Sequence, residues 1–221
     1  MKSTSNQLLL TVVLLLAIAF SCKQQHNSAG LQPLEKLRDG NNRFSHSQPI
    51  HPDEGRQRLV EISDEQHPFA VVISCSDSRV PPELIFDQGL GDLFVIRTAG
   101  NIIGGLELGS VEYAIEHLNV KLVIVLGHEE CGAVKAFVNA AAIEGHIHDI
   151  VDSIRNEEEI KEIPENDKNR LEHCIEANIR HTAQQLKTQS LLLSTKILQG
   201  ELEVRTACYN LRKGIVTFYS N

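Results

Sequence analysis

Cys75, His128 and Cys131 are the residues of this chain whose types and surroundings best suit binding a metal ion. Cys75 opens Cys75-Ser76-Asp77-Ser78-Arg79, directly after the apolar run Phe69-Ala70-Val71-Val72-Ile73-Ser74. His128-Glu129-Glu130-Cys131-Gly132 stands at the end of a second such run, Leu122-Val123-Ile124-Val125-Leu126. Two thiolates and an imidazole form a soft donor set that selects tetrahedral zinc. Three protein ligands leave a fourth position for water, which marks a catalytic rather than a structural zinc site. The same residues also have a plainer reading. A cysteine at the end of a buried strand is commonly a small apolar side chain, and neither H-x-x-C nor C-x-D-x-R is specific alone. Asp77 and Arg79 by themselves read as a salt bridge that steadies a turn. From the residues alone both readings stand.

The elements around these residues decide whether they can meet. Runs without polar alternation suit strands buried on both faces, as in a parallel sheet. Phe69–Cys75, Leu93–Ile96 and Leu122–Leu126 are such runs, and Leu106–Leu118 between the last two reads as a helix. This β–α–β order predicts an α/β fold, with a mostly parallel central sheet flanked by helices. Strand C-termini in such sheets form the crevice where ligands bind, so Cys75 and His128 are expected to converge there. Leu34–Phe44 has helical spacing and reads as an N-terminal helical arm, followed by a helical turn or two over Gln57–Ser63. Ala133–Ala142 and Leu171–Leu186 are further helical segments. Residues 157–168 are densely charged, contain Pro164 and read as a solvated loop. Glu201–Tyr209 and Ile215–Tyr219, around Asn210 and Gly214, carry a C-terminal hairpin signal. His146 and His148 lie in a polar stretch and read as solvated. His117 reads as a packing or surface residue, and Cys174 as buried and inert.

With its neighbours, each half of the site forms a longer motif. Cys75-Ser76-Asp77-Ser78-Arg79-Val80-Pro81-Pro82-Glu83-Leu84-Ile85-Phe86-Asp87, then Gly91-Asp92-Leu93-Phe94-Val95-Ile96-Arg97-Thr98-Ala99-Gly100-Asn101, resembles the signature region of β-class carbonic anhydrases. Gly127-His128 through Cys131-Gly132-Ala133 resembles the second metal motif of that family. The resemblance runs from about Leu34 to the C-terminal hairpin. It implies one Zn2+ per chain on Cys75, His128 and Cys131, with Asp77 and Arg79 as a catalytic dyad. It implies that Gln66 and Gly132 contact substrate and that Phe94 and Tyr113 line an apolar pocket suited to CO2. The implied reaction is reversible hydration of CO2 to bicarbonate and a proton, by attack of zinc-bound hydroxide. Some members of the family close the site by bringing the aspartate corresponding to Asp77 onto zinc as a fourth ligand. Members assemble as homodimers or homotetramers, with N-terminal helices embracing the neighbour. Two rivals share these residues. One is a hydrolase of carbonyl sulfide or carbon disulfide on the same fold, and the other is a zinc-binding envelope protein without activity. The departures from the family pattern are Glu129 and Glu130, which fill variable positions and add negative charge near the metal, Cys208, where a small residue is usual, and the lack of any Trp, which some bacterial members use in a bicarbonate pocket.

The first residues read as a targeting segment. Lys2 precedes an apolar run from Leu8 to Phe20, too short for a comfortable membrane span and suited to a secretory signal. The run ends at Ala19-Phe20-Ser21-Cys22, which resembles a bacterial lipobox. Residues 1–21 are expected to be the signal peptide, 22–33 a tether lipidated at Cys22, and 34–221 one catalytic domain; a plain signal peptide cut nearby and an uncleaved anchor are the alternatives. The expected location is the bacterial cell envelope, anchored to membrane and facing the periplasm. Lipidation at Cys22 leaves Cys75, Cys131, Cys174 and Cys208, for which the sequence allows three pairings. With 221 residues, 42% hydrophobic and 23% charged, the chain suits one well-buried domain. Its net charge of -8 and want of a basic stretch argue against a nucleic-acid partner.

Overall fold

The computed structural model describes residues 32–140 and 143–220. The expectations for the leader and for Cys22 lie outside these residues. The chain runs α1 (Pro33–Ser45), α2 (Arg56–Glu61), β1 (Ala70–Cys75), α3 (Pro82–Ile85) and β2 (Leu93–Thr98). A 3-10 turn over Ala99–Asn101 leads to α4 (Gly105–His117) and β3 (Leu122–His128). Then follow α5 (Gly132–Val138), α6 (Ile147–Arg155), α7 (Glu158–Lys161), α8 (Arg170–Thr188), α9 (Leu191–Leu198), β4 (Glu203–Tyr209) and β5 (Val216–Phe218).

The strands form one sheet in the order β2-β1-β3-β4-β5. Pairing is parallel from β2 through β4, and β5 returns antiparallel to β4 as the hairpin signal implied. Every residue of β1 and β3 is buried, which is why these runs show no polar alternation. Side chains still alternate between the two faces. Val71, Ile73, Cys75, Val123 and Val125 join a core built with α4 and α8. Ala70, Val72, Leu122, Ile124 and Leu126 pack with Leu37 of α1, Val80 and Phe86 on the other face. From β1 the chain passes to β2 on one side, and β3 lies on the other side. The C-terminal ends of β1 and β3 therefore flank the switch point where open α/β sheets form their crevice. Arg43 ties α1 to the segment after α3 through its ion pair with buried Asp87, Nε to Oδ2 at 2.5 Å.

Residues 157–168 are not a solvated loop. α7 lies within them, and Glu157 and Ile160 are only 1% and 2% exposed. Val151 and Ile154 of α6, Glu157 at the start of α7 and Ile160 of α7 are all buried, so both short helices turn their apolar residues inward while charges fill their outer sides. Glu157 Oε2 has no hydrogen-bond partner, and burial pushes its carboxyl up to about 9. A folded-state pKa above the unfolded value stabilises the fold at low pH, and that contribution is lost as pH rises from about 4.5 toward 9. Glu157→Gln should therefore raise the melting temperature by about 5 °C or more at pH 8 and hardly at all at pH 4. An equal gain at both pH values in calorimetry would contradict this account.

Candidate metal centre

Cys75 ends β1, His128 ends β3, and Cys131 caps α5 after a tight loop. Their ligand atoms all lie within 4.8 Å of one another. Cys75 is 5% exposed, His128 0% and Cys131 2%. Among the described residues this is the one group of metal-type side chains so gathered. His128 Nδ1 lies 2.8 Å from the Glu129 carbonyl. A carbonyl only accepts, so Nδ1 carries the proton and Nε2 presents its lone pair. That Nε2 is buried with no hydrogen-bond partner, a costly arrangement that a metal would relieve. The residues thus fit zinc by donor type, spacing and the unpartnered nitrogen. The hydrogen bond with Cys131 draws Cys75 far down, and the same contact together with burial drives Cys131 far up. Such a pair loses one proton readily and resists losing the second, until a cation takes its place.

The loop between the ligands is fixed at both ends. Glu129 N–H donates to the Tyr209 carbonyl at 3.0 Å, and Asn210 Nδ2 donates to Glu129 Oε1 at 2.8 Å. Glu130 takes a left-handed φ of 59° and pairs with Lys135. Both acids therefore turn to partners other than the ligand cluster. Gly132, exposed, is the first residue of α5.

Asp77 stands at the mouth of the cluster, its Oδ2 4.0 Å from His128 Nε2. Arg79 holds it with three bonds: the backbone N–H to Oδ1 at 2.9 Å, Nε to Oδ1 at 2.9 Å and Nη2 to Oδ2 at 2.7 Å. The Arg79 hydrogen bonds keep the carboxyl well below the usual carboxylate range, against a partial desolvation. This pairing directs Asp77 to Arg79 rather than onto the ligand cluster. Arg97, inside the signature region but given no role by the sequence reading, donates to the Cys75 carbonyl at 3.1 Å and the Asp77 carbonyl at 2.7 Å. It clamps the segment joining the ligand to the acid.

Phe94 packs against the core that holds Cys75 and Cys131, while Gln66 and Tyr113 lie together elsewhere. Phe94 lies 6.3 Å from the Tyr113 ring, and Tyr113 is 47% exposed. Gln66 and Tyr113 line an open depression of about 640 Å³ with Ile62 and His117, and none of Cys75, His128 and Cys131 lines it. Within one chain, then, Gln66 and Tyr113 line a depression apart from the three ligand residues. His146 and His148 flank the start of α6 with exposed side chains near Asp149 and Asp152. His117 is exposed and packs against Tyr113, ring to ring at 5.1 Å. Cys174 is fully buried, and it, Cys208 and both ligand cysteines are free thiols, so none of the three pairings is present among the described residues.

The family model described as carbonic anhydrase matches residues 70–216, which span every residue of the cluster. A carbonic anhydrase of Mycolicibacterium smegmatis is 38% identical over 199 residues, covering 88% of this chain and 96% of that protein. Carbonic anhydrase 2 of Mycobacterium tuberculosis is 38% identical over 184 residues, covering 80% and 87%. Among solved structures, the β-carbonic anhydrase CcaA superposes with a TM-score of 0.67 at 28% identity, covering 85% of this chain and 95% of its own. A structure from a study of two tetrameric β-carbonic anhydrases of Sordaria macrospora shares the fold at 22% identity and a TM-score of 0.67, covering 85% and 97%.

Proposed function

This chain belongs to the β-class carbonic anhydrase family, and from that membership we propose roles for its residues in the zinc-dependent reversible hydration of CO2. Cys75, His128 and Cys131 hold the zinc, and the buried, unpartnered Nε2 of His128 facing two thiols is the observation that carries this assignment. Zinc bound there acidifies water and so supplies a nucleophile near neutral pH. Asp77 accepts a hydrogen bond from the attacking oxygen at Oδ2, the atom nearest the cluster, and so aims a lone pair at the carbon of CO2. Arg79 keeps Asp77 ionised and fixed in direction through a bidentate pair. Arg97 holds the backbone of both Cys75 and Asp77, so ligand and acid keep one spacing. Stopped-flow CO2 hydration beside zinc analysis of the same sample tests the reading. Zinc-loaded protein without activity would defeat it, as would equal activity after zinc removal.

The active form is a homodimer or a multiple of one, in which Gln66, Phe94 and Tyr113 of one subunit line the substrate path of its neighbour. Support comes from surfaces that one chain leaves open. α2 has no buried residue, and Leu59 and Val60 on it are 54% and 70% exposed. Leu106 and Tyr113 share a face of α4, spaced seven residues apart, at 86% and 47% exposed. Sedimentation velocity is expected to show a dimer or tetramer at micromolar concentration. An active species sedimenting as a monomer would contradict this arrangement.

The protein is proposed to be a lipoprotein of the bacterial envelope, with Cys22 the lipidated first residue of the mature chain and the domain on the periplasmic side. The apolar run Leu8–Phe20 followed by Ser21-Cys22 and polar residues supports this reading. No helix of the described residues is long and apolar enough to cross a membrane. Mass spectrometry of the membrane fraction is expected to find an N-terminal diacylated Cys22, and Cys22→Ala to leave the precursor unprocessed. An unmodified mature N-terminus at another residue would refute it.

A further inference from the structure

A polar face of α8 meets the 3-10 turn after β2. Two successive residues of that turn, Gly100 at φ 76° and Asn101 at φ 50°, lie in the left-handed region. Glycine takes this conformation freely and asparagine more readily than most residues. The turn places the Gly100 N–H on Cys75 Sγ at 3.3 Å. It is wedged from the far side, since a Cβ at Gly100 would stand 3.0 Å from Ala133 Cβ of α5, two residues after Cys131.

Its carbonyls are held from a helix 78 residues further along the chain. Asn178 Nδ2 donates to the Gly100 carbonyl at 2.7 Å, and Thr182 Oγ1 donates to the Asn101 carbonyl at 3.2 Å. Asn178 and Thr182 are one turn apart on α8 and each is 1% exposed. α8 comes this close because β3 has no side chain at Gly127, where a Cβ would meet Ile179 Cδ1 at 2.3 Å. Asn178 Oδ1 is buried without a partner. Nδ2 must face the carbonyl, which only accepts, so the amide cannot flip to satisfy its oxygen. An amide kept in an apolar core despite an orphaned oxygen calls for an explanation beyond packing.

We propose that Asn178, with Thr182 beside it, is a positioning residue for the metal site. It fixes the Gly100 peptide so that its N–H stays on the Cys75 sulfur. An N–H bond to a ligating thiolate orients the sulfur and spreads its charge, and partners that orient ligands in this way typically govern metal affinity 10–100-fold. The inference rests on the zinc assignment to Cys75, His128 and Cys131.

The test follows transfer of zinc from the loaded protein to a chromogenic chelator, with the thiolate-to-metal absorption of the cobalt-substituted protein as a second readout. Asn178→Leu fills the same space without a donor and is expected to release zinc about 10-fold faster, with altered cobalt bands. Thr182→Val should change both in the same direction by a smaller factor. Leu186→Ala opens a cavity two turns along α8 and reports general loosening. It should keep the parental rate well below its melting temperature. A rate within twofold of the parent for Asn178→Leu overturns the proposal, and so does equal acceleration by Leu186→Ala. Should Asn178→Leu fail to fold, Thr182→Val decides, and an unchanged rate in it overturns the proposal. A parent protein that takes up neither zinc nor cobalt would instead remove the metal assignment itself.

Discussion

Cys75→Ser and His128→Ala should each reduce CO2 hydration to the uncatalysed background and bring zinc well below one per chain. Hydration at neutral pH needs a nucleophile, and water with a pKa near 15.7 supplies almost none until a metal acidifies it. Both ligands are buried at the ends of central strands, where each is fixed by strand pairing and packing. Cys75→Ser keeps the shape but offers a hard hydroxyl where zinc prefers thiolate. His128→Ala removes the one nitrogen of the cluster, which is buried without a hydrogen-bond partner. Circular dichroism should show both variants folded, because the strands are held by their own pairing and packing. Cys208→Ala is the control: its thiol, pushed up to about 11 by burial, lies outside the ligand cluster, and zinc and activity should persist. Zinc uptake by the parent should also weaken as pH falls, since the Cys75–Cys131 pair must lose its protons to bind metal. Full activity in either ligand variant would sink the metal reading.

How far the sequence reveals this site depends on how local each constraint is. Cys75 and His128 could be read because each closes an apolar run, and a run buried on both faces tells where a parallel strand ends. The hairpin of β4 and β5 was visible through Asn210 and Gly214 for the same local reason. α7 was hidden because its composition is charged, and the three-residue recurrence of Val151, Ile154, Glu157 and Ile160 includes an acid at a core position. A composition scan reads that acid as solvent-facing, while the fold buries it and raises its pKa. α9 was missed although Leu191–Leu198 is apolar enough to be seen, and its Ser190 cap accepts from the Leu193 N–H. Asn178 and Thr182 had no local signal at all. Their task is set by a turn 78 and 81 residues away and by the absent side chain of Gly127, and only the packed structure joins the three. Gln66 and Tyr113 show the opposite limit. The family resemblance names them, yet a single chain leaves them around a separate depression, so the proposed role depends on assembly.

Asp77→Asn should keep its zinc and lose about 10²–10⁴ of kcat, the range that a positioned acid–base group supplies. The amide retains the size of the carboxylate but offers a donor where the attacking oxygen needs an acceptor. The pH profile separates Asp77 from the metal. Arg79 holds the Asp77 carboxyl far below the usual range, so its charge-dependent contribution is present above the unfolded pKa and is lost only as pH falls through the lowered one. Asp77 is therefore ionised across the working range and cannot produce a rise in activity near neutrality. Two thiolates cancel the formal charge of Zn2+ and should acidify water less than three imidazoles do. Activity is accordingly expected to be weak near about pH 7 and to climb into the alkaline range, with the climb unmoved by Arg79→Lys even as that variant lowers the plateau. Lys keeps the charge but not the two-point grip that Nε and Nη2 exert on Asp77. Arg79→Ala removes both side-chain bonds and leaves only the backbone N–H on Oδ1, and a carboxylate whose Oδ2 already stands 4.0 Å from His128 Nε2 would then be free to turn toward the ligand cluster. Its kcat should fall about as far as that of Asp77→Asn, and the double variant should be no worse than either single one, because the two residues act as one unit. Additive losses in the double variant would show that Arg79 works apart from Asp77 and would overturn the dyad.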